Sequence, residues 1–182
     1  MYQKGFSLIE LLAGLAIAAT LLQFVGPHFK QLIESVRREN AAQTLVSGLR
    51  NARTEAILRN QTIVIHAVDD NWGLGWRIIL DISGKGHEDS DNPVLHERQE
   101  SGQVTIVGNG PVKTYIRFTG LGEALVPGGD FRAGTVHVCA TDQGISHHQV
   151  VLAKSGRISL RSDKTEQKLC VGGEDSQQRA NA

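Results

Sequence analysis

The sequence has no surplus of charge of either sign: 19 Lys and Arg stand against 19 Asp and Glu in 182 residues. That excludes the chain-wide basic field of a nucleic-acid binder and the acidic surplus of a disordered chain, so any electrostatic function has to be local. Phosphate-binding loops are missing as well. Neither GxxxxGK[ST] nor a GxGxxG ahead of a helix occurs, and Gly73, Gly75, Gly84 and Gly86 read as turn glycines. No GxSxG elbow is present, Ser146-His147 and Ser155-Gly156 stand alone, and the seven scattered histidines compose no triad. The chain is therefore expected to be no enzyme and to take no cofactor, metal or small-molecule substrate. No internal repeat is visible, and the length leaves room for one membrane segment and one domain of roughly 120 to 150 residues.

Cysteine is scarce. Cys139 and Cys170 are the only two, and an even count beyond a membrane segment points to an oxidised pair. A metal site is the rival, since His137 precedes Cys139 by two residues and His147 and His148 follow; imidazole and thiolate suit zinc, but the spacing matches no common zinc pattern.

What is present begins with a long apolar run. Residues 6–26 carry one charge, Glu10, and as a helix would be about 31 Å long, the thickness of a hydrocarbon core. This reads as a membrane span. The competing reading is a secretory signal released by an ordinary signal peptidase, with Lys4 as the basic end and Ala16-Ile17-Ala18 as the cleavage site. A carboxylate at the depth of Glu10 costs a few kcal/mol in a bilayer and needs a partner or a task.

Beyond Pro27, apolar residues recur at helical spacing: Phe29, Leu32, Ile33 and Val36, then Leu45, Leu49, Ala52, Ala56 and Ile57. The segment is an amphipathic helix, and Pro27 predicts a kink where it joins the apolar half. From Gln61 the period shortens. TIVIHA, GWRIILDI, VLHER, QVTIV, YIRF, TVHVC, QVVLA and RISLR are short segments rich in Val and Ile, parted by clusters such as DISGKGHEDSDNP and VPGGD. Trp72 and Trp76 at a strand start read as packing residues rather than a ligand platform. Strands that all follow one long helix predict an α+β fold with antiparallel sheet on the helix's apolar face. The tail, residues 171–182, is polar and expected to be disordered.

The N-terminal motif Gly5-Phe6-Ser7-Leu8-Ile9-Glu10, a short basic leader ending in Gly and then Phe, resembles the signal of type IV prepilins and pseudopilins. Further along, RTEAILRNQTIVI, NWGLGWRIILD, FTGLGEALV and KSGRISL resemble the helix end and successive strands of the GspH/FimT (FimU) family of minor pilins and pseudopilins. The resemblance implies a pilin-like fold: leader 1–5, transmembrane and assembly helix 6–27, amphipathic helix 28–60, periplasmic β-rich domain 61–170 and tail 171–182. It also implies cleavage by a prepilin peptidase between Gly5 and Phe6, N-methylation of Phe6, and attraction of the neighbouring subunit's terminal amine by Glu10. The partners implied are other minor pilins or pseudopilins, the major pilin, the peptidase and the inner membrane, at the tip or initiating complex of a type IV pilus or a type II secretion pseudopilus. The cysteine pair and FTGLGEALVP look closer to fimbrial minor pilins.

Some members of this family are understood to bind DNA through Gly-Arg-any-Arg. Here Gly156 and Arg157 match, and Arg161 falls two residues late. In RISLR, a strand would bury Ile158 and Leu160 and present Arg157 and Arg161 on one face, about 13 Å apart. With Lys154, Lys164 and Lys168 against Asp163 and Glu166, residues 154–168 have a local excess of three positive charges, whereas residues 81–100 hold six acids against Lys85 and Arg98. The surface is expected to be polarised, with DNA as the alternative partner and a solvated strand, salt-bridged to the acidic loop, as the plain explanation.

Overall fold

A computed structural model describes residues 7–125, 133–140 and 144–171; within it, residues 21–28 are described by backbone alone. The expected disordered tail falls outside the described residues from 172 onwards. Two units result, Met1–Arg37 and Arg38–Ala182.

One helix, α1 (Leu8–Arg59), crosses the division, and its helical backbone continues through Pro27. In the first unit Leu8, Ile9, Leu11, Leu12, Leu15 and Ile17 are all exposed, as are Phe29, Leu32 and Val36. Among the described residues no helix is long and apolar enough to cross a membrane. The expected span 6–27 extends beyond those residues at Phe6 and over side chains 21–27.

In the second unit the helix lays Ala42, Leu45, Val46, Leu49, Ala52 and Ala56 into the core, one stripe at helical spacing. Ile57, expected on that stripe, is half-exposed at its edge. The helix ends in a Schellman motif. Asn60 takes a left-handed φ of 50°, its N–H donates to the Ile57 carbonyl, and the Gln61 N–H donates to the Ala56 carbonyl, so the last turn's acceptors are satisfied.

Ten strands follow among the described residues: β1 (Ile63–Val68), β2 (Asn71–Leu80), β3 (Val94–Gln99), β4 (Ile106–Gly108), β5 (Tyr115–Phe118), β6 (Ala124–Leu125), β7 (Gly134–Cys139), β8 (Ile145–Leu152), β9 (Ile158–Arg161) and β10 (Thr165–Glu166). The eight expected strands are present, and β6 and β10 are two-residue additions. One sheet runs β3-β2-β1-β5-β6; the other runs β10-β8-β7-β4, with β9 also on β8, and every pairing is antiparallel. This is the α+β arrangement that the sequence order predicts. Asp69 and Asp70, both at positive φ, form the two-residue turn joining β1 to β2, the conformation that matches strand twist.

Ile63 and Ile65 of β1, Trp72, Trp76 and Ile78 of β2, Phe118 of β5, Val136 and Val138 of β7, and Val150 and Leu152 of β8 meet the helix stripe in one core. Both tryptophans are packing residues. The Trp72 indole donates to the carbonyls of Val112 (3.2 Å) and Lys113 (2.9 Å). Trp76 lies against Gly48, where an added Cβ would stand 2.5 Å from the ring, so only glycine permits this approach.

The acidic stretch 81–93, which reads as a plain turn cluster, is an ordered cover. Buried Asp81 accepts the Gly86 N–H (2.9 Å) and pairs with Arg117 Nη2 (3.0 Å); buried Asn92 donates to the Gly86 carbonyl (2.8 Å) and accepts the Ile82 N–H (3.0 Å). His87 in this cover stacks on His66 of β1 (ring centroids 5.2 Å) and leans on Tyr115 of β5 (4.9 Å).

Candidate functional site

Three places carry the residues singled out from the sequence: the start of α1, the turn before β9, and the disulfide.

At the start of α1 the sequence Ser7-Leu8-Ile9-Glu10 is a capping box. Ser7 Oγ accepts the Ile9 N–H (3.3 Å), and Glu10 Oε2 reaches back to accept the Ser7 N–H (3.0 Å). The carboxylate thus sits at the positive end of the helix dipole with an orphan donor satisfied. Glu10 has a local partner that the sequence reading overlooked, although the signal S-x-x-E was there to find. The capped turn is surrounded by exposed leucines, Leu8 at 77%, Leu11 at 60% and Leu12 at 59%. Gly5 and Phe6, the expected cleavage point, lie outside the described residues.

The turn before β9 is built on Gly156. It has φ +73°, and a Cβ there would stand 1.8 Å from the Gly122 carbonyl oxygen. Arg53 of α1 ties the turn down, donating from Nε to the Gly122 carbonyl (2.8 Å) and from Nη2 to the Ser155 carbonyl (3.4 Å). Beside it opens a concavity of about 530 Å³ that Arg50, Arg53 and Thr54 of the helix line together with the turn residues Ser155, Gly156 and Arg157 and the buried Ile158. The guanidinium groups of Arg50 and Arg157 have no partner among the described residues. Ile158 is buried and Leu160 half-buried, while Arg157 and Arg161 are exposed, as the alternation requires.

Of the expected basic residues, Arg157 alone lines this concavity. Arg157 joins the two helix arginines; Lys154, Arg161 and Lys164 are exposed but do not line the concavity. Lys164 lies instead near His147, whose pKa is lowered by burial first and then by Arg38 and Lys164. Arg50 and Arg53 were visible in the sequence only as the polar side of an amphipathic helix. The expected salt bridge between the basic segment and the acidic loop is not made among the described residues: the acids pair inside their own sheet, Glu97 with Arg77 (3.2 Å) and Asp81 with Arg117. The opposite charges therefore stay on separate sheets.

Cys139 and Cys170 are joined in a disulfide with Cα atoms 5.5 Å apart, which commits both sulfurs and removes them from any metal site. Among the described residues no group of three or more His, Cys, Asp or Glu is placed to hold a metal ion. Next to the disulfide, the Gln167 amide donates to His137 Nε2 (3.1 Å); His137 Nδ1 then carries the proton, facing Ser146 Oγ (3.1 Å), which donates to the His148 carbonyl (3.1 Å). Burial holds His137 below the ordinary histidine range, consistent with this neutral tautomer. The Ser–His contact is structural: Ser146 is fully buried and its proton is spent on a carbonyl.

These features were compared with known proteins. The family described as Type II transport protein GspH matches residues 41–156, well over half of the chain, and the Prokaryotic N-terminal methylation motif matches residues 1–22. No curated protein matches the sequence. Among solved structures, the type IV minor pilin FimU of Pseudomonas aeruginosa PAO1 in space group P65 is 26% identical with a TM-score of 0.55, covering 71% of this chain and 98% of that one. The same protein in space group P21 aligns at 24% identity and a TM-score of 0.58, covering 74% and 97%, a likeness of fold.

Proposed function

The chain belongs to the GspH family and has a pilin-like fold, and on that premise we propose that it is a minor pilin or pseudopilin, a structural subunit of the tip or initiating complex of a type IV pilus. The likeness to a type IV minor pilin favours the pilus over the secretion pseudopilus. In this reading the helix start is held in the inner membrane with the sheet domain in the periplasm, a prepilin peptidase cuts between Gly5 and Phe6, and Phe6 is N-methylated. The observation that carries it is a methylation motif running into a helix start whose described apolar side chains are exposed and whose one acid is Glu10.

Assembly gives Glu10 a second partner. In the free chain its carboxylate accepts one neutral N–H; a neighbouring subunit's terminal ammonium supplies a full charge in surroundings of low dielectric, where attraction is strong and sets axial register. Mass spectrometry of the mature protein is expected to find N-methyl-Phe6 at the terminus. A start after Ala18 would instead indicate release by an ordinary signal peptidase and overturn the reading. Glu10→Ala is expected to leave cleavage intact and to abolish incorporation.

A second reading, DNA binding, has one observation in its favour: Arg50 and Arg157, whose guanidinium groups have no partner among the described residues, line the same concavity. Arginine forks of this kind grip phosphates without reading sequence and weaken steeply with salt. The detergent-solubilised chain would shift duplex DNA at low salt, and Arg50→Ala with Arg157→Ala would abolish the shift. No shift for the unaltered chain removes this reading.

A further inference from the structure

A second groove lies along the same helix, beside β3, the edge strand of the first sheet. Its volume is about 470 Å³; Gln43, Thr44, Ser47 and Asn51 of α1 form one wall, Arg98 and His96 of β3 the other, and Trp76 the floor. Three features of this groove are unspent. The Trp76 indole N–H is buried with no hydrogen-bond partner among the described residues, in a side chain only 9% exposed. A buried donor left in that state costs about 1 to 3 kcal/mol. Asn51 is half-buried, and neither it nor Ser47 makes a side-chain hydrogen bond among the described residues.

The third is the strand edge. The Glu100 N–H donates to the Leu74 carbonyl, and Trp76 lies opposite Arg98 in the β2–β3 register. Bonding alternates along an antiparallel ladder, so residues 98 and 100 turn their backbone groups to β2, and Glu97 and Gln99 turn theirs outward. Beyond β3 the sheet has no further strand among the described residues.

The charges at the groove are already balanced. Arg98 pairs with Glu100 (2.6 Å) and Arg77 with Glu97 (3.2 Å). What the groove offers is neutral hydrogen-bonding capacity: outward N–H and C=O groups on β3, the Asn51 amide and the Ser47 hydroxyl on the helix wall, and the buried indole donor beneath them. Gly48 leaves the helix wall low directly above the indole. A polypeptide backbone in extended form presents the complementary row of donors and acceptors without a charge. We propose that this groove receives an extended segment of a neighbouring pilin-like subunit, added to β3 as a sixth strand. The proposal rests on the assembly reading above.

The test places a benzoylphenylalanine photo-crosslinker at Ser47 in cells that assemble the fibre, and maps adducts in isolated fibres by mass spectrometry. The expected product joins residue 47 to an extended, non-helical segment of another pilin-like subunit. Glu97→Pro removes an outward N–H and is expected to lower the adduct at least tenfold; Glu97→Ala, which keeps that N–H and loses the carboxylate's contacts with Arg77 and the Gln99 amide, is expected to retain it. Circular dichroism and an intact disulfide show that the proline variant is folded, and Trp76→Phe, which removes the indole donor together with the ring atoms packed on Gly48, is expected to reduce the adduct as well. If the chain is in the fibre and residue 47 gives no adduct, or gives one that Glu97→Pro leaves unchanged, or one to a helix, lipid or glycan, the groove proposal is overturned and the assembly reading stands. Absence of the chain from the fibre overturns both.

Discussion

Leucine does opposite things at the two ends of α1. Leu8, Leu11, Leu12 and Leu15 in the first unit are 59% or more exposed, whereas Leu45 and Leu49 in the second are almost wholly buried. The residue type, the helix and the spacing are the same; what differs is whether the chain supplies a surface to pack on. Hydrophobic periodicity reports that a face will be covered, and leaves open by what. In the second unit the cover is the pair of sheets. In the first, the proposed function makes it the lipid and then the neighbouring subunits.

The comparison is broken most directly by truncating one leucine from each end. Leu49→Ala is expected to lower unfolding free energy by about 2 to 5 kcal/mol. Leu12→Ala, its counterpart, is expected to leave the urea midpoint of the sheet domain unchanged and to reduce incorporation into fibres instead. Equal loss of domain stability from both would show that the first unit packs on its own chain. Removing the disulfide with Cys139→Ser and Cys170→Ser should cost about 3 to 4 kcal/mol for a loop of this length, read as a drop in the thermal midpoint under non-reducing conditions.

A smaller effect is expected at Gly156→Ala, where positive φ and the collision with the Gly122 carbonyl act together; a loss of about 1 to 3 kcal/mol in a urea melt would agree with the geometry. Acid supplies another contrast between the units. Burial lowers the pKa of His66, His137, His147 and His148, all in the second unit. Because the unfolded chain titrates near the ordinary value of about 6.5, it binds more protons than the folded one below that pH. The stability these groups contribute is thus fully present above about pH 6.5 and is lost as pH falls toward the lowered folded values. Urea midpoints at pH 7.5 and 5.0 are expected to differ in that direction, and His137→Asn to reduce the difference. The smallest effect belongs to the helix start: Ser7→Ala removes one cap acceptor, worth about 1 kcal/mol of local helix stability, and is expected to raise amide exchange at Ile9 alone.

Much of this architecture was legible in the residues. The period change at Gln61 separated helix from strands because each element follows its own repeat; the left-handed turn at Asn60 that ends the helix is what the structure adds. The cover formed by residues 81–93 was not legible. Its organisers, Asp81 and Asn92, look like any other turn residues, and the partner that makes Asp81 worth burying is Arg117, more than thirty positions away. The candidate sites divide in the same manner. Glu10 and the cysteines stood out by type and position, while Arg50 and Arg53 gain meaning only when the fold sets them beside Gly156. Trp76 was read correctly as packing, and its unpartnered N–H appears only once the helix is in place above it.

The disulfide has a mechanical consequence. A fibre subunit under tension is pulled through its N-terminal helix, and force that peels the sheets would lengthen the molecule strand by strand. The covalent clasp spans 31 positions, so about 110 Å of contour is withheld from any such extension. Reduction would release that slack, and a single-molecule stretching trace would show it as a longer final step.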